Sequence, residues 1–257
     1  MSVLEAVGVL VAGMAAGTIN TVVGSGTLIT FPTLLFFGYP PVVANVSNTV
    51  GLVAGGVTAV HGYRGELEGS RRTLTRLAPA SLVGGVIGAV LLLVLPPEAF
   101  QAIVPVLIAL GLALVVLGPT LQRRAAARHE AGIPPAAWNG PALTGGVLVA
   151  GVYGGYFGAA QGVILMGLLS ALSSEPIQRL NGFKNVLGTI VNAVAAATFM
   201  LVAWERIDWL VALLIGVGAF VGGLLGARVG RRLPPLALRT VIILVGLVGI
   251  TKIIWFS

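Results

Sequence analysis

Hydrophobic residues dominate eight stretches of the chain, at 3–37, 42–61, 75–95, 99–118, 138–172, 183–203, 209–228 and 236–255, with short polar connections between them. Six of these are near 20 residues, the length at which an α-helix rising about 1.5 Å per residue crosses about 30 Å of hydrocarbon. The first and fifth are too long for one crossing. Each carries a glycine break: Gly24, Ser25 and Gly26 in the first, Gly154 and Gly155 followed by residues 158–162 in the fifth. Glycine lets the backbone turn and pack closely. Each long stretch is therefore expected to be a folded-back pair, or a full helix followed by a half-helix.

Polar residues interrupt the apolar pattern at two corresponding places. Asn45, Ser47, Asn48 and Thr49 open one apolar helix; Asn181, Lys184 and Asn185 open another. Asn181 follows Asn45 by 136 residues, as Gly162 follows Gly26 and Pro176 follows Pro40, while Asn185 follows Asn48 and Gly188 follows Gly51 by 137. One insertion accounts for the difference, and the ordered set predicts an internal repeat. Matched polar sites in two halves of a membrane protein are how many secondary transporters build one substrate site at the bilayer midplane.

Composition narrows the class. The 257 residues are 57% hydrophobic and 9% charged, with 37 glycines and no cysteine, and mean hydropathy is +1.02. So few charges would not keep a soluble domain dispersed, and the missing cysteines remove disulfides and thiol chemistry. The opening residues lack a basic segment, so they are expected to begin a retained helix. The formal charge of +7 does not point to nucleic acid, because eleven of the fifteen basic residues fall in three connections: Arg64, Arg71, Arg72 and Arg76; Arg123, Arg124 and Arg128; Arg228, Arg231, Arg232 and Arg239. That is the positive-inside pattern. It places 62–74, 119–137 and 229–235 inside, 96–98 and 204–208 outside, and both termini outside, so the two halves are expected to be inverted in the membrane. Arg179 is expected to mark topology, and Tyr39, Trp138, Trp204 and Trp209 to anchor the interfaces.

Candidate chemistry centres on the two clusters and the two breaks. A helix N-terminus at membrane depth offers free N–H groups and a positive dipole end to an anion, so Ser25, Gly26 and Thr27 with Gln161 and Gly162 are candidate ligand residues. Asn45, Ser47 and Asn48, with Asn181, Lys184 and Asn185, complete the candidate substrate site, and Asn20 and Asn192 extend its polar lining. Buried amides and hydroxyls equally well bond one another across helices. Lys184 is the one charge near this site, with snorkelling to headgroups as its alternative role. His61 ends its helix and is a possible proton-coupling residue. No aspartate or glutamate falls well inside an expected span, which disfavours a cation substrate. His61 and His129 are too separated for a histidine metal site, and no hydrolase elbow or phosphate loop is present. No metal, no cofactor and no enzymatic activity are expected.

These residues carry a family resemblance over nearly the whole length. Gly13 and Gly17, the run at 23–34, Pro41 with 44–49, then 154–158 and 181–185, resemble the sulfite exporter TauE/SafE family of membrane permeases. The resemblance implies a bacterial-type inner membrane protein that moves sulfur-containing anions such as sulfite, sulfoacetate or related organosulfonates. It also implies a transport site at residues 24–27, 45–48, 158–162 and 181–185. Family members commonly carry glycine within the second break, where this chain has Ala159, Ala160 and Gln161.

The expected fold is all-α: a polytopic transmembrane helical protein with two inverted repeats, each opened by a broken helix or hairpin. Residues 1–118 form the first repeat, 119–137 a basic cytoplasmic linker and 138–257 the second. The expected partners are a small anion, the lipid bilayer and a possible second copy of the chain. The expected function is secondary transport, with export, the direction the membrane potential favours for an anion, as the expected direction and an anion channel or a non-transporting scaffold subunit as alternatives.

Overall fold

A computed structural model describes residues 1–130, 139–173, 175–229 and 235–256. Their ten α-helices are α1 (Val3–Val22), α2 (Thr27–Phe36), α3 (Pro41–Gly62), α4 (Arg71–Val94), α5 (Pro97–Glu130), α6 (Asn139–Tyr156), α7 (Gln161–Leu172), α8 (Ile177–Val202), α9 (Trp209–Val229) and α10 (Pro235–Phe256). The architecture is a polytopic helical bundle. Among the described residues, six helices are long and apolar enough to cross a membrane: Val3–Val22, Pro41–Gly62, Arg71–Val94, Pro97–Thr120, Ile177–Val202 and Trp209–Arg228.

Local chemistry sets the helix starts. Ser2 caps α1 through a reciprocal box, its hydroxyl accepting from the Glu5 N–H and its own N–H donating to the Glu5 carboxylate at 2.7 Å. Proline begins α3 and precedes α8 at Pro176, where its fixed φ suits a helix entry. Several helices run past their apolar stretches. α4 begins at Arg71, not 75; α8 begins at Ile177, not 183; and α5 continues to Glu130 through the first part of the expected linker. Hydropathy marks the depth of the hydrocarbon, whereas a helix ends where capping or backbone geometry ends it. Residues 131–137 of that linker, Trp138 and the connection at 230–234 lie outside the described residues.

Small residues bring helices together. Gly13 and Gly17 of α1 rest on the backbone of α9 at Ile215 and Ala219, and Gly218 and Gly222 of α9 rest on α1 at Leu10 and Met14. Gly84 and Gly88 of α4 meet α6 in the same way, beside Leu148 and Val152. Each pair is spaced one turn apart, so two backbones approach without intervening side chains. Larger apolar residues such as Leu213, Val217 and Leu244 face outward, as a lipid-contacting surface requires.

The helix pairings repeat. Exchanging α1 to α5 for α6 to α10 in order turns the contact of α1 with α9 into that of α6 with α4. It likewise turns α2 with α10 into α7 with α5, and α3 with α9 into α8 with α4; all six contacts are present. α3 is the most enclosed span, 72% buried against 33–44% for the other five. The polar cluster it carries is thus held at the centre of the bundle.

Charge separates the two ends. At one, the Arg179 Nε–H donates to the Glu66 carbonyl at 3.2 Å, joining the start of α8 to the connection after α3. At the other, Tyr39 lies between α2 and α3, where burial and then the carboxylates of Asp208 and Glu5 push its phenol above the ordinary value. The Asp208 N–H donates to the Ser47 hydroxyl at 2.8 Å, joining the start of α9 to α3.

Candidate functional site at the two helix breaks

The two long apolar stretches break by one backbone device. At the end of α1, the N–H groups of Val23 and Gly24 both donate to the Ile19 carbonyl, at 2.7 and 3.1 Å; at the end of α6, those of Phe157 and Gly158 both donate to Tyr153, at 3.0 and 3.1 Å. The turning residues are Gly24 at φ +88° and Gly158 at φ +75°, where glycine avoids the cost a Cβ would bring. The second break also needs Ala160 at φ +60°. The Tyr153 hydroxyl holds it by donating to the Ala159 carbonyl at 2.6 Å.

The breaks touch. The Gly162 N–H donates to the Gly24 carbonyl at 2.9 Å, and a Cβ on either glycine would strike the backbone of the other. The N-termini of α2 and α7 are thereby brought to a shared centre.

Lys184 reaches that centre from α8. Its side chain is 2% exposed, and its Nζ donates to the carbonyls of Thr21 at 3.0 Å and Asn20 at 3.4 Å. The Asn185 amide donates to Thr21 as well, at 3.4 Å. Thr21 and Asn20 belong to the last turn of α1, whose carbonyls lack helical partners and form the negative dipole end. They orient the ammonium but do not cancel its unit charge. Among the described residues no carboxylate pairs with Lys184; Arg179 pairs with Glu175 at 2.7 Å.

Lys184, Asn185, Asn20, Thr27, Gln161 and Asn192 line a cavity of about 20 Å³, little more than one water molecule occupies. Gln161 is 5% exposed, and its side-chain Nε2 has no hydrogen-bond partner among the described residues. A Cβ at Gly154 would collide with this amide, so the glycine makes room for it. An unpaired buried donor costs on the order of 1–3 kcal/mol, which an acceptor in the cavity would recover.

Other polar residues hold the site in place. Asn48 donates to the Thr27 hydroxyl at 3.3 Å and accepts from that of Thr30, while the Asn20 side-chain oxygen Oδ1 accepts from the Gly26 N–H at 3.5 Å. The start of α2 is thus fixed from both sides. Asn45 donates to the Tyr156 carbonyl at 3.0 Å, doing at the end of α6 what Lys184 and Asn185 do at the end of α1. The buried Ser25 hydroxyl has no partner among the described residues.

Three sequence candidates lie elsewhere. Ser47 serves the start of α9. His61 is exposed at the end of α3, beside Arg64 at 2.9 Å. Asn181 lines a separate cavity with Arg239. Axial position explains Asn181: it shares the face of α8 that carries Lys184 and Asn185 but lies one turn nearer the start of the helix, which begins six residues before the apolar stretch did. Thr189 and Gly56, which the sequence did not mark, and Gly188, marked only as a repeat position, also line the central cavity; glycine at a helix contact leaves no polar signature, and threonine is common within apolar helices. Among the described residues no three His, Asp or Glu side chains cluster as metal ligands would.

The family model described as Sulfite exporter TauE/SafE matches residues 9–253. The chain is similar to the Probable membrane transporter protein YfcA of Escherichia coli K12, 26% identical over 258 residues that cover 95% of this chain and 87% of the relative. It is also similar to the Probable membrane transporter protein ORF9 of a Sinorhizobium species, 26% identical with 85% and 80% of the two chains covered. A Probable membrane transporter protein of Haemophilus influenzae is 24% identical, with 95% and 92% covered. No solved structure matches significantly.

Proposed function

The chain belongs to the sulfite exporter TauE/SafE family of membrane transporters, and from that premise we propose that it is a secondary transporter of small sulfur-containing oxyanions. Sulfite, sulfoacetate and related organosulfonates are the proposed substrates, and export the proposed direction. The protein is a multi-pass protein of the bacterial inner-membrane type. One observation carries the substrate class: the ammonium of Lys184, buried with carbonyl partners and without a carboxylate, at a cavity between two helix breaks. A charge at the bilayer centre costs about 3 kcal/mol on insertion scales, and an anion in the cavity would offset that cost.

Each side chain then has a role. Lys184 neutralises the anion, Gln161 and Asn185 donate amide hydrogens to its oxygens, and the α2 N-terminus at Thr27 adds a positive dipole end. Asn20, Asn45 and Asn48 position the helix ends. The cavity of about 20 Å³ is smaller than any such anion, so binding requires the two breaks to separate.

The repeated helix pairings support two structural repeats, and the placement of α3 and α8 supports their inversion. α3 starts at the end carrying Asp208 and α8 at the end carrying Arg64 and Glu66. Transport proceeds by movement of one repeat against the other around the fixed site. An inside-negative potential drives an anion outward by about 2.3 kcal/mol per charge per 100 mV, so export needs no coupling ion.

Reconstituted protein loaded with sulfite tests this reading. Saturable efflux that external sulfite accelerates by counterflow is expected. Conductance without counterflow would make the protein a channel, and no anion flux at all would leave the scaffold reading.

A further inference from the structure

A second cavity, of about 140 Å³, lies between α1, α5, α7, α8 and α10. Its walls are mostly apolar, from Val23, Pro119, Val163 and Ile177 among others, and its two polar residues with side-chain nitrogens are Asn181 and Arg239. The Arg239 Nε is buried and has no hydrogen-bond partner among the described residues. A snorkelling arginine turns its head to water and headgroups; this one turns part of its fork into a cavity. The charge of Arg123 on α5 repels it, and among the described residues no carboxylate pairs with either guanidinium. The guanidinium presents donors in a planar fork suited to two oxygens of one oxyanion, with the Asn181 amide as a third donor. At about 10–15 Å³ of such volume per water, the cavity admits a small anion with part of its hydration shell.

The two cavities adjoin. Gly24 and Gly162 line the central one, and their chain neighbours Val23 and Val163 line the second. The hydrogen bond between Gly24 and Gly162 therefore stands between them. We propose that Arg239 and Asn181 form a second anion subsite, a vestibule on the side of the basic connections that exchanges its anion with the Lys184 site when the two glycines part. This rests on the anion-transport reading above.

Proteoliposomes holding the full chain in known orientation test it, with sulfite as the probe added from either side. Arg239→Gln is expected to raise the half-saturating sulfite concentration about tenfold from the basic-connection side, the loss of one charge-assisted hydrogen bond, and to leave the opposite side within about twofold. Arg239→Lys, which keeps the charge but not the planar fork, is expected to restore only part of that affinity. Unchanged saturation from both sides, or an equal loss from both, would overturn the subsite. Lower thermal stability in both variants without a sided effect would make Arg239 structural and overturn it too. Lys184→Met separates the two readings: if it transports sulfite as the native chain does, anion transport through the central site fails whatever Arg239 does.

Discussion

Replacing Lys184 by methionine keeps the length of the stem and removes the charge. Sulfite efflux is expected to fall at least about a hundredfold, since a buried cation paired only with its substrate is worth several kcal/mol. Stabilisation of the purified protein by sulfite in a thermal melt should disappear as well. Persistence of that stabilisation would place the anion elsewhere. The glycines allow a second comparison at this scale. Gly38 and Gly24 share φ +88°, but a Cβ at Gly38 meets nothing within 4 Å while one at Gly24 falls 2.5 Å from the Gly162 Cα. Gly38→Ala is expected to cost only the left-handed penalty, about 1–2 kcal/mol. Gly24→Ala should also push the breaks apart and lower the melting temperature further; equal shifts for the two would mean that the contact contributes nothing. The polar residues themselves were legible in the sequence, Lys184 and Gln161 included. Which of them share a cavity was not, because spacing along a helix gives a common face but not which neighbouring segment meets each turn of it.

Helix pairs obey a simpler rule. The contact of α4 with α6 and that of α1 with α9 both rest on glycines one turn apart. Gly88→Ile and Gly222→Ile would each drive a branched side chain into a facing backbone, and each is expected to destabilise by about 1–3 kcal/mol or more. Gly145→Ile on α6, where nothing lies within 4 Å, is the control and should leave unfolding unchanged. A similar loss at all three positions would assign the effect to helix propensity and not to packing. The break positions were visible as glycine clusters within overlong apolar stretches. Helix ends were not, as α5 shows: its polar, arginine-rich residues after Thr120 remain helical, since arginine and alanine favour a helix whether or not lipid surrounds it.

At the scale of the whole molecule, inversion of the repeats is open to a direct test, helped by the absence of cysteine. Gly65→Cys, after α3, should react with a membrane-impermeant thiol reagent only from the inner side, and Glu205→Cys, after α8, only from the outer side. Labelling of both from one side would overturn the inversion. The two halves are nonetheless unequal in charge. Asn45 secures the end of α6 with a neutral amide, whereas Lys184 secures the end of α1 with a cation, so a bound anion is expected off-centre, closer to α8. By itself, the sequence determined the membrane class, the two breaks and the residue types at the centre, because hydropathy, glycine and isolated polar residues report local energetic demands. Only the tertiary structure decided that Gly24 meets Gly162, that Gln161 is left unpaired beside Lys184, and that Asn181 belongs with Arg239. Those outcomes depend on the depth at which each helix turn sits and on contacts between segments far apart in the chain, which no local pattern encodes.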